Sequence, residues 1–91
     1  MMLSPERLAE IRRTLRFSQD DMARLLGVSY ASVNRWENGH SGPTGTLLQV
    51  YRALDVAVRQ GKTAEQILGE RGGDAGETLH RIFHSAYGER R

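Results

Sequence analysis

Hydrogen-bonding side chains recur at helical spacing between Ser29 and Gly39. At about 100° per residue, one face of a helix in this stretch carries these residues: Tyr30, Ala31, Asn34, Arg35 and Asn38. The opposite face carries Val33, Trp36 and Glu37, a mostly apolar set that suits a core. The phenol, amide and guanidinium groups on the outer face require hydrogen-bond partners. The pattern therefore predicts a helix with one binding face.

Serine, histidine and aspartate are all present, but their positions do not indicate an enzyme. The serines are predicted helix caps, and no Gly-x-Ser-x-Gly, phosphate-loop, His-Glu-x-x-His or paired-cysteine signature occurs. His80 and His84 lie one helical turn apart with Glu77 on nearly the same face, a spacing that can bind a metal. Two histidines on a solvated face are common, and no further ligand is evident. We therefore predict no catalytic residues, no metal and no cofactor.

Local capping signals place two short helices around this stretch. Ser18 caps the first, Asp21 completes a capping box, and Phe17 with Met22 forms a hydrophobic staple. Gly27 can take the left-handed conformation that ends the helix. Ser29 then caps the second helix only two residues later. Two short helices joined so tightly must cross steeply, which predicts a helix-turn-helix.

Several segments together resemble the helix-turn-helix domain of Cro and phage repressors, the XRE family. The resemblance rests on these segments and residues: Ser-Gln at 18–19, Met-Ala-Arg-Leu-Leu-Gly-Val-Ser at 22–29, Ser-Val-Asn-Arg-Trp-Glu-Asn-Gly at 32–39, Pro43 and Leu47-Leu48. It covers roughly residues 6 to 70. It implies an all-α fold of five helices in which the helix at 30–38 lies in the DNA major groove.

The resemblance also implies roles for individual residues. Matched position by position, the base-reading residues are Tyr30, Ala31 and Arg35, with Asn34 added on the same face. The residues matched to the DNA backbone are Gln19, Ser32 and Asn38, to which we add Ser29 at the start of the helix. Arg35 is the best candidate for bidentate contact with guanine, because its planar fork matches the O6 and N7 acceptors.

Five further charged or ionisable residues have alternative interpretations. In this family an arginine at position 12 typically pairs with the glutamate that is Glu37 here, so we predict a structural ion pair Arg12–Glu37 rather than a DNA contact. Arg13 and Arg16 either reach phosphates or are solvated surface arginines. His40 follows the reading helix and either donates to a phosphate or is simply exposed.

The remaining chain predicts three more helices around the central pair and one beyond them. Helix 1 starts at Ser4-Pro5, helix 4 carries Leu47, Val50 and Leu54 at helical spacing, and Thr63 caps a short helix 5. We therefore predict a compact DNA-binding domain at residues 1–70 and a glycine-rich linker with a C-terminal amphipathic helix at 71–91.

The C-terminal helix is expected to bury an apolar stripe, either against its own chain or against a second copy of the protein. Its members are Leu79, Ile82, Phe83, Ala86 and Tyr87. Packing within the same chain is one solution. We favour a second copy, because one such domain reads only a half-site and family members usually bind as dimers.

Composition sets broad limits on location and partners. The chain has 91 residues, no cysteine and a formal net charge of +2. The absence of cysteine suits a reducing compartment, and no apolar run is long enough to span a bilayer, so a cytoplasmic protein is expected. A positive charge this small does not by itself indicate a nucleic-acid binder, although the whole excess of positive charge falls in residues 1–61.

We therefore predict a sequence-specific transcriptional regulator, a repressor, that binds double-stranded operator DNA as a homodimer. Two alternatives remain open at this point. One is the antitoxin of a toxin–antitoxin pair, whose C-terminal segment occupies a toxin partner while the domain represses its own operon. The other is a helix-turn-helix reused for protein–protein contact without DNA.

Overall fold

The computed structural model describes residues 3–69 and 75–88, and all regular structure within these two ranges is helical. Six α-helices follow one another along the chain: α1 Pro5–Thr14, α2 Gln19–Leu26, α3 Tyr30–Glu37, α4 Gly45–Arg59, α5 Ala64–Leu68 and α6 Ala75–Tyr87. The predicted all-α class is confirmed. The helix-turn-helix consists of α2 and α3, and the predicted C-terminal helix is α6.

The capping chemistry expected for α2 is present at both ends. Ser18 Oγ accepts from the Asp21 backbone N–H at 3.0 Å, and Asp21 Oδ2 accepts from the Ser18 backbone N–H at 3.0 Å. At the other end Gly27 has a φ of 71°. Ser29 then caps α3 by accepting from the Ser32 N–H at 3.1 Å. The sharp turn between the two helices is thus determined by the residues next to it.

The end of α1 uses a conformation for which the sequence gives no signal. Arg16 has a φ of 61°, while the other described residues with positive φ are glycines. The Arg16 N–H donates to the Arg13 carbonyl at 2.9 Å and the Phe17 N–H donates to the Arg12 carbonyl at 3.1 Å. These two bonds form a Schellman motif, which usually places glycine where Arg16 stands.

The core lies where α1, α3 and α4 meet, with α2, α5 and α6 closing it. Its largest fully buried side chains are Tyr51, Ile11, Met22, Leu54, Ile67, Ile82, Val33 and Val50. The Trp36 and Tyr51 rings meet edge to face with centroids 6.1 Å apart, a favourable aromatic geometry. Tyr51 is a core residue, and Trp36 anchors α3 to α4.

The apolar stripe of α6 packs within its own chain, which corrects our preference for a partner chain. Ile82 is 0% exposed and Ala86 is buried, while Leu79 and Phe83 pack partly buried against the same core. Tyr87 is the stripe member that remains 40% exposed. Packing in cis orders no second molecule, so it avoids the entropy cost of association.

Two hydrogen bonds hold the C-terminal part of α6 in place. Lys62 Nζ donates to the Ser85 backbone carbonyl, and Ser85 Oγ donates to the Gln66 carbonyl at 3.1 Å. Each bond satisfies a carbonyl in the last turn of a helix. The predicted linker at 70–76 lies outside the described residues except for positions 75 and 76, which begin α6.

An ion-pair network joins α1 to α4 on another side of the molecule. Arg7 Nη2 lies 2.6 Å from Asp55 Oδ1, and Arg59 Nε lies 3.0 Å from Asp55 Oδ2. Arg7 also reaches Glu10 at 2.7 Å. Separately, none of the helices in the described ranges has both the length and the apolar character that crossing a membrane requires.

Candidate nucleic-acid interface

The outer face of α3 is accessible and its inner face is fixed. Val33 is fully buried and Trp36 nearly so, whereas Tyr30 is 53% exposed. Ala31, Arg35 and Asn38 are also exposed, and Asn34 is half-buried. The periodicity therefore assigned the two faces correctly. The helix is anchored by its core side chains, and its predicted base-reading side chains lie on the opposite, more exposed face.

The predicted ion pair between Arg12 and Glu37 is present and is bidentate. Arg12 Nε donates to Glu37 Oε2 at 2.7 Å, and Arg12 Nη2 donates to Glu37 Oε1 at 3.0 Å. Arg12 Nη1 also donates to the Phe17 carbonyl at 2.8 Å. One guanidinium thus connects α1, the turn before α2 and the end of α3. The pair sets the orientation of α3 relative to the rest of the domain.

Glu37 remains charged despite its burial. Its side chain is only 6% exposed, and this burial disfavours the ionised form. Hydrogen bonds from Arg12 and from Gln19 outweigh that cost and lower the pKa of Glu37 below its ordinary value. Conversely, the hydrogen bond to Glu37 raises the pKa of Arg12. Both partners are therefore ionised at neutral pH.

A chain of side-chain amides continues from Glu37 toward the outer face of α3. Gln19 Nε2 donates to Glu37 Oε1 at 2.9 Å, and Asn34 Nδ2 donates to Gln19 Oε1 at 3.2 Å. Asn38 Nδ2 donates to Asn34 Oδ1 at 3.1 Å and to the Asn34 backbone carbonyl at 2.8 Å. We call Gln19, Asn34 and Asn38 the amide chain. It begins at Gln19, which is half-buried, and ends at Asn38, which is exposed.

The amide chain is the part of this site that sequence reasoning missed. Gln19 and Asn34 were assigned separately, one to the phosphate backbone and the other to bases. Their contact joins residues 15 positions apart on different helices, so no local spacing reveals it. The contact depends on the steep crossing of α2 and α3, which brings the two amides together. The sequence predicts that crossing but not its exact orientation.

The other predicted backbone-contacting residues occupy three places. Ser29 and Ser32 lie at the start of α3, with hydroxyl oxygens 3.1 Å apart. Arg13 and Arg16 are exposed at the end of α1, and the charge of Arg13 contributes to the low pKa of Glu37. His40 is exposed just beyond α3. The structure thus brings Arg13 near the ion pair.

The two histidines of α6 are exposed on its outer side. The His80 and His84 rings stack with centroids 6.3 Å apart and an interplanar angle of 18°. Over the described ranges, no group of three or more histidine, cysteine, aspartate or glutamate side chains is placed to hold a metal ion.

Comparison with known proteins matches the part of the chain that forms this site. A family model described as "Helix-turn-helix" matches residues 8–51, from α1 into α4. The HTH-type transcriptional regulator DicA of Escherichia coli (strain K12) is 42% identical over 40 residues, which cover 44% of this chain and 30% of DicA. The chain thus matches less than a third of that relative's length. No solved structure matches the chain.

The family match, the identity to a transcriptional regulator and the observed α2–α3 geometry agree with the resemblance noted in the sequence. Residues 8–51 of this protein are an XRE-family helix-turn-helix domain.

Proposed function

We propose that the protein is a transcriptional regulator, a repressor, that reads a specific sequence in the DNA major groove with α3. The observation that carries the proposal is the two-faced α3: Trp36 and Val33 fix it to the core, while Tyr30 and Arg35 are exposed. A helix held rigidly by one face can enter the groove without losing the order of its reading side chains. The match to the regulator DicA over this region supports the proposal.

The base-reading set in this proposal is Tyr30, Ala31, Asn34 and Arg35. Arg35 contacts guanine O6 and N7 through two parallel N–H donors. The Ala31 methyl and the Tyr30 ring offer apolar contact to a thymine methyl group. Asn34 has its amide engaged with Gln19 and Asn38, so its contribution to base reading is more constrained than that of Arg35.

Phosphate contacts in this proposal come from three groups of residues. Gln19 lies at the start of α2, where backbone N–H groups add a partial positive charge. Ser29, Ser32 and Asn38 border the reading face on α3. The exposed side chains of Arg13, Arg16 and His40 border it from neighbouring segments. Such contacts fix the register of the protein on DNA and carry no sequence information of their own.

We further propose that the protein binds DNA as a homodimer. The support is geometric: one helix-turn-helix reads one half-site, and two-fold related copies read half-sites about one helical turn apart. The α6 stripe is not the interface in this proposal, because Ile82 and Ala86 are already buried within the chain.

The two alternatives of the sequence analysis are not favoured. An antitoxin role requires a C-terminal segment that is available to occupy a toxin, but α6 packs on α4 and α5. A pure protein-interaction role offers no reason for the match to a transcriptional regulator. Catalysis is not part of the proposal, since the matched family is one of regulators.

The proposal is tested by selecting bound sequences from random DNA duplexes at a stated salt concentration. The expected result is enrichment of one motif that occurs as two inverted copies about 10 base pairs apart. Arg35→Ala is expected to abolish enrichment at one position of each copy. Arg59→Ala serves as the matched control, because Arg59 lies on α4 outside the matched region and pairs with Asp55. Selection that enriches no sequence would overturn the proposal.

A further inference from the structure

We infer that Glu37 is a positioning residue that fixes the direction of the amide chain, and thereby decides which hydrogen-bonding groups the domain presents to DNA. The structural half of this inference concerns the free protein alone. Its consequence for binding rests on the proposed function above.

The ionised side chain of Glu37 can only accept hydrogen bonds. A carboxylate has no proton to donate, and the bidentate contact with Arg12 keeps Glu37 ionised. Its Oε1 atom receives both Arg12 Nη2 and Gln19 Nε2. Gln19 must therefore turn its NH₂ group toward Glu37. The reverse orientation would place the Gln19 carbonyl against a buried negative charge.

The orientation of Gln19 then determines that of the next two amides. With its NH₂ directed at Glu37, Gln19 presents its carbonyl oxygen to Asn34, which must donate its own NH₂ at 3.2 Å. Asn34 in turn presents Oδ1 to Asn38, which donates at 3.1 Å. Asn38 also donates to the Asn34 backbone carbonyl. Each amide can be reversed only if the one before it is reversed.

The consequence is a fixed pattern of donors and acceptors along the DNA-facing side. Gln19 and Asn34 each spend one N–H within the chain and keep a second N–H for another acceptor. Asn38 spends both N–H groups on Asn34 and keeps its carbonyl oxygen. Phosphate oxygens only accept, so a second N–H on the Glu37 side of the Gln19 amide suits them, whereas reversal would put the Gln19 carbonyl oxygen at that position. Glu37 thus sets the polarity of this edge without touching DNA.

The direct test in the free protein is a trans-hydrogen-bond NMR coupling between Asn34 Nδ2 and the Gln19 side-chain carbonyl carbon. The inference expects this coupling, together with slowed hydrogen exchange of the Gln19 and Asn34 NH₂ groups. Absence of the coupling in wild-type protein would overturn it. No DNA is needed, so this result is independent of the proposed function.

Glu37→Gln removes the constraint on direction while keeping a side chain of similar size. A glutamine at 37 both donates and accepts, so Gln19 can adopt either orientation. We expect two sets of Gln19 and Asn34 NH₂ signals, or exchange broadening of them, and about tenfold weaker binding to the selected duplex. One unaltered set of signals would contradict the inference.

Asp55→Asn is the matched control, because Asp55 is also an ion-paired, largely buried carboxylate, and its ion-pair partners are Arg7 and Arg59. It is expected to lower stability and leave the Gln19 and Asn34 signals unchanged. If Glu37→Gln does not fold, Gln19→Leu replaces it, since the Arg12–Glu37 pair persists while Asn34 loses its acceptor. Faster exchange of the Asn34 NH₂ group supports the chain, and unchanged exchange contradicts it.

These measurements test the orientation of the amide chain separately from the proposed DNA-binding function. If the NMR signatures appear but wild-type protein enriches no DNA sequence, the orientation of the amides stands and the proposed function fails. If DNA is bound specifically but the coupling is absent, the function stands and the role of Glu37 fails.

Discussion

Glu37 shows how one buried charge can serve both folding and surface chemistry. Its carboxylate receives Arg12 from α1 and Gln19 from α2, so it connects three helices at one point. Removing one partner of such a pair leaves the other buried without its countercharge, which costs about 3 kcal/mol. The ion pair was foreseeable from the family resemblance. Its connection to the amide chain was not.

The low pKa of Glu37 gives the stability of the protein a predictable dependence on pH. Because the folded state holds this pKa below the ordinary 4.5, the stabilisation is complete above that value and is lost as pH falls further, through the lower pKa of the folded state. We expect Glu37→Gln to cost about 3 kcal/mol at pH 7 and progressively less toward pH 3. Denaturant unfolding at pH 7, 5 and 3 measures this difference.

Glu65→Gln is the control for that series, because Glu65 is exposed in the first turn of α5. Its unfolding free energy is expected to differ little from wild type at each pH. Wild-type and Glu37→Gln curves that run parallel from pH 7 to pH 3 would contradict the assigned role of Glu37.

The left-handed backbone conformation of Arg16 is predicted to lower the free energy of unfolding relative to a glycine at the same position. A non-glycine residue in the left-handed region costs about 1 kcal/mol, so Arg16→Gly, with a φ of 61° in the native state, should raise the free energy of unfolding by up to that amount. Arg13→Gly, within α1, should lower it by about 1 kcal/mol. Thermal unfolding of both variants measures these changes, which are expected to have opposite signs: a higher stability for Arg16→Gly and a lower one for Arg13→Gly. Destabilisation by Arg16→Gly would contradict the strain assigned to this turn.

At the scale of helices, local signals were sufficient for the helix-turn-helix and insufficient for α6. Ser18, Asp21 and Gly27 act within a few residues of themselves, so their caps could be read directly from the sequence. The stripe containing Ile82 carries the same periodicity whether it packs in cis or on a second chain. Only the three-dimensional placement of α4 and α5, with Lys62 reaching the Ser85 carbonyl, distinguishes the two.

Packing of α6 in cis makes a prediction about stability rather than association. Ile82→Ala opens a cavity at a side chain that is 0% exposed, and we expect a loss of about 3 kcal/mol in the free energy of unfolding. His80→Ala, on the exposed side of the same helix, should change it by less than about 0.5 kcal/mol. Light scattering should give the same mass for wild type and both variants. A change of oligomeric state in Ile82→Ala, at unchanged stability, would restore the partner-chain interpretation.

In the molecule as a whole, contacts from α1, α2 and α4 hold α3 in one orientation relative to the rest of the domain. Trp36 packs on Tyr51 of α4, the Arg12–Glu37 pair joins α3 to α1, and Gln19 of α2 reaches the outer face through Asn34. The faces of α3 followed from hydrophobic periodicity, and the all-α class followed from the family resemblance. The hydrogen-bond partners among α1, α2 and α3 did not, because they depend on crossing angles that no single helix encodes.

DNA binding should depend strongly on salt, because phosphate contacts release counterions. If Arg13 neutralises one phosphate, Arg13→Gln should reduce the slope of log affinity against log salt by about 1. Arg24→Gln is a suitable comparison, since Arg24 is exposed on α2 and pairs with Asp20 at 3.0 Å. Titrations of a fixed duplex at several salt concentrations give both slopes. Equal slopes for wild type and Arg13→Gln would remove Arg13 from the interface.

The central claim is that the exposed face of α3 reads base edges, and the most direct measurement compares the affinities of wild type, Arg35→Ala and Arg59→Ala for the selected duplex and for each single-base variant of it. We expect Arg35→Ala to lose about 1–3 kcal/mol on the selected duplex and to lose discrimination at one position per half-site, while Arg59→Ala behaves as wild type. A uniform loss at every position, or no loss at all, would contradict the claim.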